Sequence, residues 1–180
     1  MTDNFPLPAL DIPSWTNDNE RELLAELARD AESPILEVGC LYGGTTAVLA
    51  SANPDAKVYS IDDFSWTPTG YPTASADLTK ENLARNGITN VTIIESDSRK
   101  TAKTWKERVG LLWIDGGHSF EYVYSDLYNF GPLADVIALH DYGNPFWPTI
   151  QQAVEAFMKK FPDQWRIDKV VGSVCVLRRN

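Results

Sequence analysis

The chain predicts an α/β protein: a seven-stranded, mostly parallel sheet with helices on both faces and an antiparallel C-terminal hairpin strand. Three observations predict it. Short apolar runs alternate with longer amphipathic ones from about residue 35 to residue 160, and strands separated by helices pair in parallel with both faces covered. The run Ile35-Leu36-Glu37-Val38 opens into Gly39-Cys40-Leu41-Tyr42-Gly43-Gly44-Thr45-Thr46, a buried strand, a glycine turn and a helix start. Trp165–Val171 and Val174–Leu177 are strand-like runs separated only by Gly172-Ser173, a two-residue hairpin turn.

Each element has its own signal. Pro6, Pro8 and Pro13 among scattered Asp and Asn predict an N-terminal arm, docked through Phe5, Ile12 and Trp15. Asn17 to Ala31 sets Leu23, Leu24, Leu27 and Ala28 on one helical face, with Asn17 or Asp18 as cap and Ser33-Pro34 as stop. The first strand turns at Gly39, Gly43-Gly44 lets backbone approach a ligand closely, and Thr45 or Thr46 caps the next helix. Lys57–Ile61 is the second strand, Ser75–Asn86 a helix closed by Gly87, and Val91–Ile94 the third strand. A short helix covers Arg99–Glu107. Gly110–Ile114 is the fourth strand, Phe120–Asn129 a helix and Asp135–Leu139 the fifth strand. Thr149–Lys160 is a helix with Ile150, Val154 and Phe157 on one side.

With 180 residues the simplest organisation is one domain, an arm and helix over 1–33 and an α/β core over 34–180. Sixteen basic against 25 acidic residues give a formal charge of −9, which argues against a protein that grips nucleic-acid backbone. No charged-then-apolar leader opens the chain and no apolar stretch spans a bilayer, so no membrane partner and a cytoplasmic location are expected. Cys40 and Cys175 fit neither a disulfide framework nor a zinc spacing.

The glycine turn is informative for what it lacks. A dinucleotide fingerprint needs glycine where Leu41 stands, and no G-x-x-x-x-G-K-[ST] follows. Exposed N–H groups at the following helix start still suit a carboxylate or phosphate. Ligands of open α/β sheets bind beyond the carboxyl ends of the strands, and here those ends carry Asp62-Asp63, Asp97, Asp115 and Asp141. Asp also caps helices and starts turns, so both readings stand for Asp63 and Glu95. A carboxylate at Asp62 can accept both hydroxyls of a ribose.

The pattern E-x-G-x-x-x-G-G-T over Glu37–Thr45, with the reversed final strand, resembles class I S-adenosylmethionine-dependent methyltransferases, and the resemblance covers about Ile35 to Leu177. It implies a Rossmann-like core and a donor site at Glu37, Gly39, Cys40, Gly43, Thr45, Asp62, Asp63, Asp97, Ser98 and Asp115. Within it Asp62 takes the ribose, Asp97-Ser98 meets the adenine and Glu37 supports the loop. Ile114-Asp115-Gly116-Gly117-His118-Ser119-Phe120-Glu121 with His140-Asp141 resembles the small O-methyltransferase branch that includes macrocin-type and cephalosporin-hydroxylase-like proteins. That branch implies catalytic roles for His118 and Asp115 and a divalent metal, Mg²⁺ or Mn²⁺, at Asp115, His140 and Asp141. Mg²⁺ prefers oxygen ligands, so His140 turns the expectation toward Mn²⁺, Fe²⁺ or Zn²⁺. The other reading of His140 is a rim hydrogen bond, with Asp141 capping its loop.

His118 lies three residues past Asp115, where the catechol-type relatives place a lysine base, and imidazole is suited to take a hydroxyl proton near neutral pH. The aromatic and proline-rich loops Phe64–Pro72 and Tyr142–Pro148 would wall a ring-shaped acceptor. The expectation is an S-adenosylmethionine-dependent O-methyltransferase of a small hydroxylated molecule, a phenol or sugar. A metal-dependent hydroxylase-like enzyme and a non-catalytic S-adenosylmethionine binder are the alternatives. A homodimer through the arm or the final hairpin is one option for its assembly.

Overall fold

Seven runs rich in Val, Ile and Leu pair into one sheet: β1 (Ile35–Val38), β2 (Val58–Asp62), β3 (Val91–Glu95), β4 (Val109–Ile114), β5 (Ala134–Leu139), β6 (Trp165–Val171) and β7 (Val174–Arg179). The computed structural model describes residues 11–32 and 34–180. Phe5, Pro6 and Pro8 of the expected arm, and Ser33 of the expected helix stop, lie outside them. The strand order is β3-β2-β1-β4-β5-β7-β6. The first five strands run parallel, and β7 enters antiparallel between β5 and β6. The Rossmann-like, seven-stranded expectation is met, including the reversed last strand. Chain order reverses at β1, which pairs with both β2 and β4; a crevice opens at such a switch point.

Among the described residues six α-helices cover the sheet: α1 (Asp18–Arg29), α2 (Gly44–Ala52), α3 (Ala76–Arg85), α4 (Ser98–Thr101), α5 (Phe120–Phe130) and α6 (Pro148–Lys160). Strand alternation divides the core. Ile35, Leu111, Trp113 and Val176 face Leu24 and Leu27 of α1 and Leu49 of α2. Leu36, Val38, Leu112 and Ile114 face Val123 and Leu127 of α5 and Val154 and Phe157 of α6. Each such side chain contributes roughly 1.5–3 kcal/mol by leaving water. Among the described residues no helix is long and apolar enough to cross a membrane, and Cys40 and Cys175 are both free and buried.

Two local expectations are corrected. The helix expected over Arg99–Glu107 is only the single turn of α4: the Trp105 ring packs on Tyr59 and Phe130 and its indole N–H donates to the Glu107 carbonyl, which takes the chain out of helix. Thr45 and Thr46 do not cap α2. It starts at Gly44, behind Gly43 at φ +89° and without a side-chain cap, and the Thr46 hydroxyl turns inward to Glu37. On the protein side the glycine pair is tightly packed. A Cβ on Gly43 would press on Thr79 and Leu83 of α3, and one on Gly44 would lie 2.6 Å from the Pro13 carbonyl oxygen of the arm.

Candidate active site

Polar side chains converge on the carboxyl ends of β1, β2, β4 and β5 in two groups. The first surrounds the glycine turn. Gly39 takes φ +91°, and a Cβ there would overlap the Asp115 carbonyl and Gly116, so its missing side chain lets the ends of β1 and β4 touch. One Asp62 oxygen accepts the Cys40 and Leu41 N–H groups at 2.9 and 2.8 Å, and the other accepts Phe64 N–H at 2.7 Å. Burial raises the Asp62 pKa while those three bonds pull it down. Asp62 therefore folds the turn on itself, and Leu41 is held at φ +45°.

Glu37 is fully buried behind this turn. Its Oε2 accepts Thr46 and Ser60 hydroxyls, both at 2.6 Å, whereas Oε1 has no partner among the described residues. Burial pushes its pKa up to about 8, with Asp115 and Asp62 adding to the rise. Three acids thus share one small region. Buried acids crowded together favour a cation arriving among them. Asp63 lies exposed and accepts Ser65 N–H at 3.0 Å. Asp97 caps α4 and pairs with Arg99, which holds its carboxyl below the usual range. Ser98 is buried, and burial pushes the Asp126 carboxyl up to about 7. Asp97 and Ser98 thus lie at the expected strand end, with the Asp97 side chain engaged by Arg99.

The second group straddles β4 and β5. Asp115, His140 and Asp141 each offer one ligand atom within 4.8 Å of the others, a spacing that fits a cation. His140 Nδ1 stands 3.3 Å from Asp115 Oδ1 and 3.4 Å from Asp141 Oδ2. Burial opposes charge on that ring, yet the Asp115 and Asp141 carboxylates push its pKa up to about 11. Asp141 is held well below the usual carboxylate range by His118 and then by His140. It sits at φ +57°, a costly conformation for a non-glycine residue that recurs where a side chain must be aimed. His118 Nε2 lies 2.9 Å from Asp141 Oδ2. Its ring packs on Trp147 with centroids 4.7 Å apart, and Thr149 Oγ1 donates to its carbonyl at 2.7 Å. A side chain that can take a proton, an acid that orients it and a set of metal-type ligands meet at one place.

A cleft of about 440 Å³ opens beside this group, lined by Trp15, Asp141, Tyr142, Asn144, Gly172 and Ser173 among others. The start of the Tyr142–Pro148 loop walls it as expected. The Phe64–Pro72 loop does not line it. There Tyr71 joins a stack with Tyr42 and Trp15, which docks the arm over the glycine turn.

Three residues of this region escaped the sequence reading. Glu20 of α1 is only 2% exposed and reaches His140 Nε2 at 3.4 Å; its one local signal is the Asn17-x-x-Glu20 capping box. Asn144 donates to Asp141 Oδ1 at 2.7 Å. Ser173 was legible only as a turn residue, and it donates N–H and hydroxyl to Glu20 at 2.7 and 2.9 Å.

Comparison with known proteins follows the same lines. Residues 36–142 match the family described as Methyltransferase domain. The uncharacterized protein YbxB of Bacillus subtilis (strain 168) is 38% identical over 68 residues, which is 38% of this chain and only 30% of that protein's length. The O-methyltransferase NovP shares the fold with a TM-score of 0.75 at 18% identity, over 89% of this chain and 79% of that one. The SAH-bound methyltransferase PaMTH1 of Podospora anserina does so with a TM-score of 0.62 at 20% identity, over 89% and 77%.

Proposed function

The chain belongs to the methyltransferase-domain family, and from that premise we propose that it is an S-adenosylmethionine-dependent O-methyltransferase of a small hydroxylated acceptor, a phenol or sugar. The observation that carries the donor assignment is the cluster of Glu37, Asp62 and Asp115 around the glycine turn, with Glu37 Oε1 left without a partner. A floor of this kind, with carboxylates at Asp62 and Asp115 and a buried acid at Glu37 that a nearby cation would help to ionise, suits a ligand bearing an ammonium and a sulfonium. When bound, S-adenosylmethionine supplies a methyl group on positively charged sulfur, already activated for in-line attack.

The chain's own residues do the rest. Gly39, Cys40, Gly43 and Thr45 shape the turn against the donor, and Asp62 sets that turn through its backbone bonds while its remaining lone pair, with Asp63, faces the ribose side. Asp97 and Ser98 mark the adenine end through backbone. The cleft at Trp15, Tyr142 and Asn144 holds the acceptor ring. His118 gives Nε2 to Asp141 and keeps Nδ1 to take the acceptor's hydroxyl proton, which leaves that oxygen nucleophilic toward the donor's methyl group. Asp115, His140 and Asp141 would hold a divalent cation, which would supply Lewis-acid chemistry that lowers the pKa of an acceptor hydroxyl. Much of the rate then comes from alignment of two reactants. Trp15, Asn17 and Glu20 complete the cleft, which supports reading the chain as a single methyltransferase domain.

Calorimetric titration with S-adenosylhomocysteine tests the reading. Micromolar binding to the wild type, weakened at least tenfold in Asp62→Ala and kept within threefold in Asp141→Ala, is expected. No binding to the wild type with or without Mn²⁺ overturns it.

A further inference from the structure

Glu20 stands on α1, far in sequence from the strand ends, yet its carboxylate is the most fully partnered acid near the site. Oε1 accepts Ser173 N–H and hydroxyl, and Oε2 accepts Asn17 N–H at 2.9 Å. The hairpin turn is built around it, since a Cβ on Gly172 would lie 2.5 Å from Oε1. A capping box and a turn contact explain those bonds but not the fourth neighbour, His140 Nε2 at 3.4 Å from Oε2. The His140 ring therefore bridges two regions: Nε2 faces Glu20, and Nδ1 faces Asp115 and Asp141. Trp113 packs beside it with ring centroids 5.8 Å apart.

We propose that Glu20 is a positioning residue: it accepts the Nε2–H of His140 and so fixes Nδ1 as the nitrogen offered between Asp115 and Asp141. The inference rests on the reading of those three residues as a divalent-cation centre. A histidine ligand needs its second nitrogen held by an acceptor, which sets ring orientation and tautomer. A carboxylate gives that acceptor more strength than an amide or water. The same residue ties the centre to α1 and to the Gly172-Ser173 turn, both of which line the acceptor cleft. The cation centre is thereby referenced to the cleft walls as well as to β4 and β5.

The test uses ¹⁵N-histidine protein loaded with ¹¹³Cd²⁺, with the His140 signals assigned by their absence in His140→Asn. In the wild type, cadmium coupling to Nδ1 and a slowly exchanging Nε2–H are expected; coupling to Nε2 overturns the proposal without any variant at Glu20. Glu20→Gln should weaken Cd²⁺ and Mn²⁺ affinity about 10- to 100-fold and speed Nε2–H exchange. Ser173→Ala, which loses one bond to Glu20 but leaves the carboxylate in place, should keep the Nδ1 coupling. Unchanged affinity and exchange in Glu20→Gln overturns the role of Glu20 alone. Absence of Cd²⁺ binding to the wild type overturns the cation centre itself, and that outcome is distinguished by intact S-adenosylhomocysteine binding.

Discussion

On the proposed reading this site has a donor end and an acceptor end, and the two are built by different means. At the donor end, Glu37, Gly39, Cys40 and Leu41 are near neighbours in sequence, and Asp62 closes the turn from the next strand with backbone bonds. Its buried acids leave one oxygen unpartnered. At the acceptor end, Glu20, His118, His140, Asp141 and Ser173 come from α1, two strand ends and the hairpin, and bind one another side chain to side chain. The donor end is a turn with an acid to spare. The acceptor end is a network whose charges are already paired across the fold. One is fixed by local covalent geometry, the other by long-range packing, and the two meet at Asp115, whose carbonyl lies under Gly39 and whose carboxylate faces His140.

That junction gives the largest effect. Gly39→Ala adds a Cβ into the Asp115 backbone at φ +91°, combining positive-φ strain with overlap that backbone cannot relieve cheaply. We expect a loss of about 3–5 kcal/mol in chemical denaturation, with both S-adenosylhomocysteine and Mn²⁺ affinities reduced. Loss of donor binding alone would show that the two ends are uncoupled at Asp115.

This division also explains what the sequence made legible. The strands, the hairpin and the reversed last strand follow from apolar runs of period-appropriate length punctuated by Gly and Pro, signals that each sit within about ten residues. Asp62, Asp115 and Asp141 were visible because strand ends are visible. The partners they take were not. Nothing near Glu20 announces a neighbour at His140, 120 positions on, and a capping box is sufficient reason for a glutamate there. The aromatic loops read as equals in sequence, but packing sends Tyr71 to the arm and only Tyr142 to the cleft. The short α4 was misjudged for the same reason, since Trp105 has to reach Tyr59.

The second prediction separates the spare acid from the paired charges by pH. Burial raises Glu37 to about 8, so between pH 5 and 6.5 it carries a proton in the folded chain and has lost it in the unfolded one. Stability therefore falls as pH rises through that window, by about 1.4 kcal/mol per unit for one proton. His140, raised to about 11, is protonated in both states near pH 5 and adds slope of the same sign only toward the top of the window, as the unfolded histidine begins to lose its proton. Its stabilisation is lost mainly as pH climbs above about 6.5. Asp141, depressed, is ionised in both states above its ordinary range. Denaturation midpoints at pH 5 and 6.5 should show about half of the slope gone in Glu37→Gln, the rest, of the same sign, coming from Asp126, raised to about 7. An unchanged slope would mean that Glu37 stays ionised beneath the turn.

The smallest effect is the most pointed. Asp97 stands at the strand end where an adenine is expected, yet its carboxylate caps a helix of four residues and grips Arg99, whose guanidinium also lies over the Tyr122 ring at 4.0 Å. Arg99 is well exposed, so solvent screens the pair, and an exposed pair with one cap is worth about 1 kcal/mol. If the donor end works through backbone and buried charge, Asp97→Ala should cost that much stability and shift S-adenosylhomocysteine affinity by no more than about threefold, because the groups that read the ring are N–H donors the substitution leaves in place. A tenfold loss of affinity with stability unchanged would return the adenine to the Asp97 carboxylate, and the donor end would then resemble the acceptor end in depending on a side chain drawn from its paired partner.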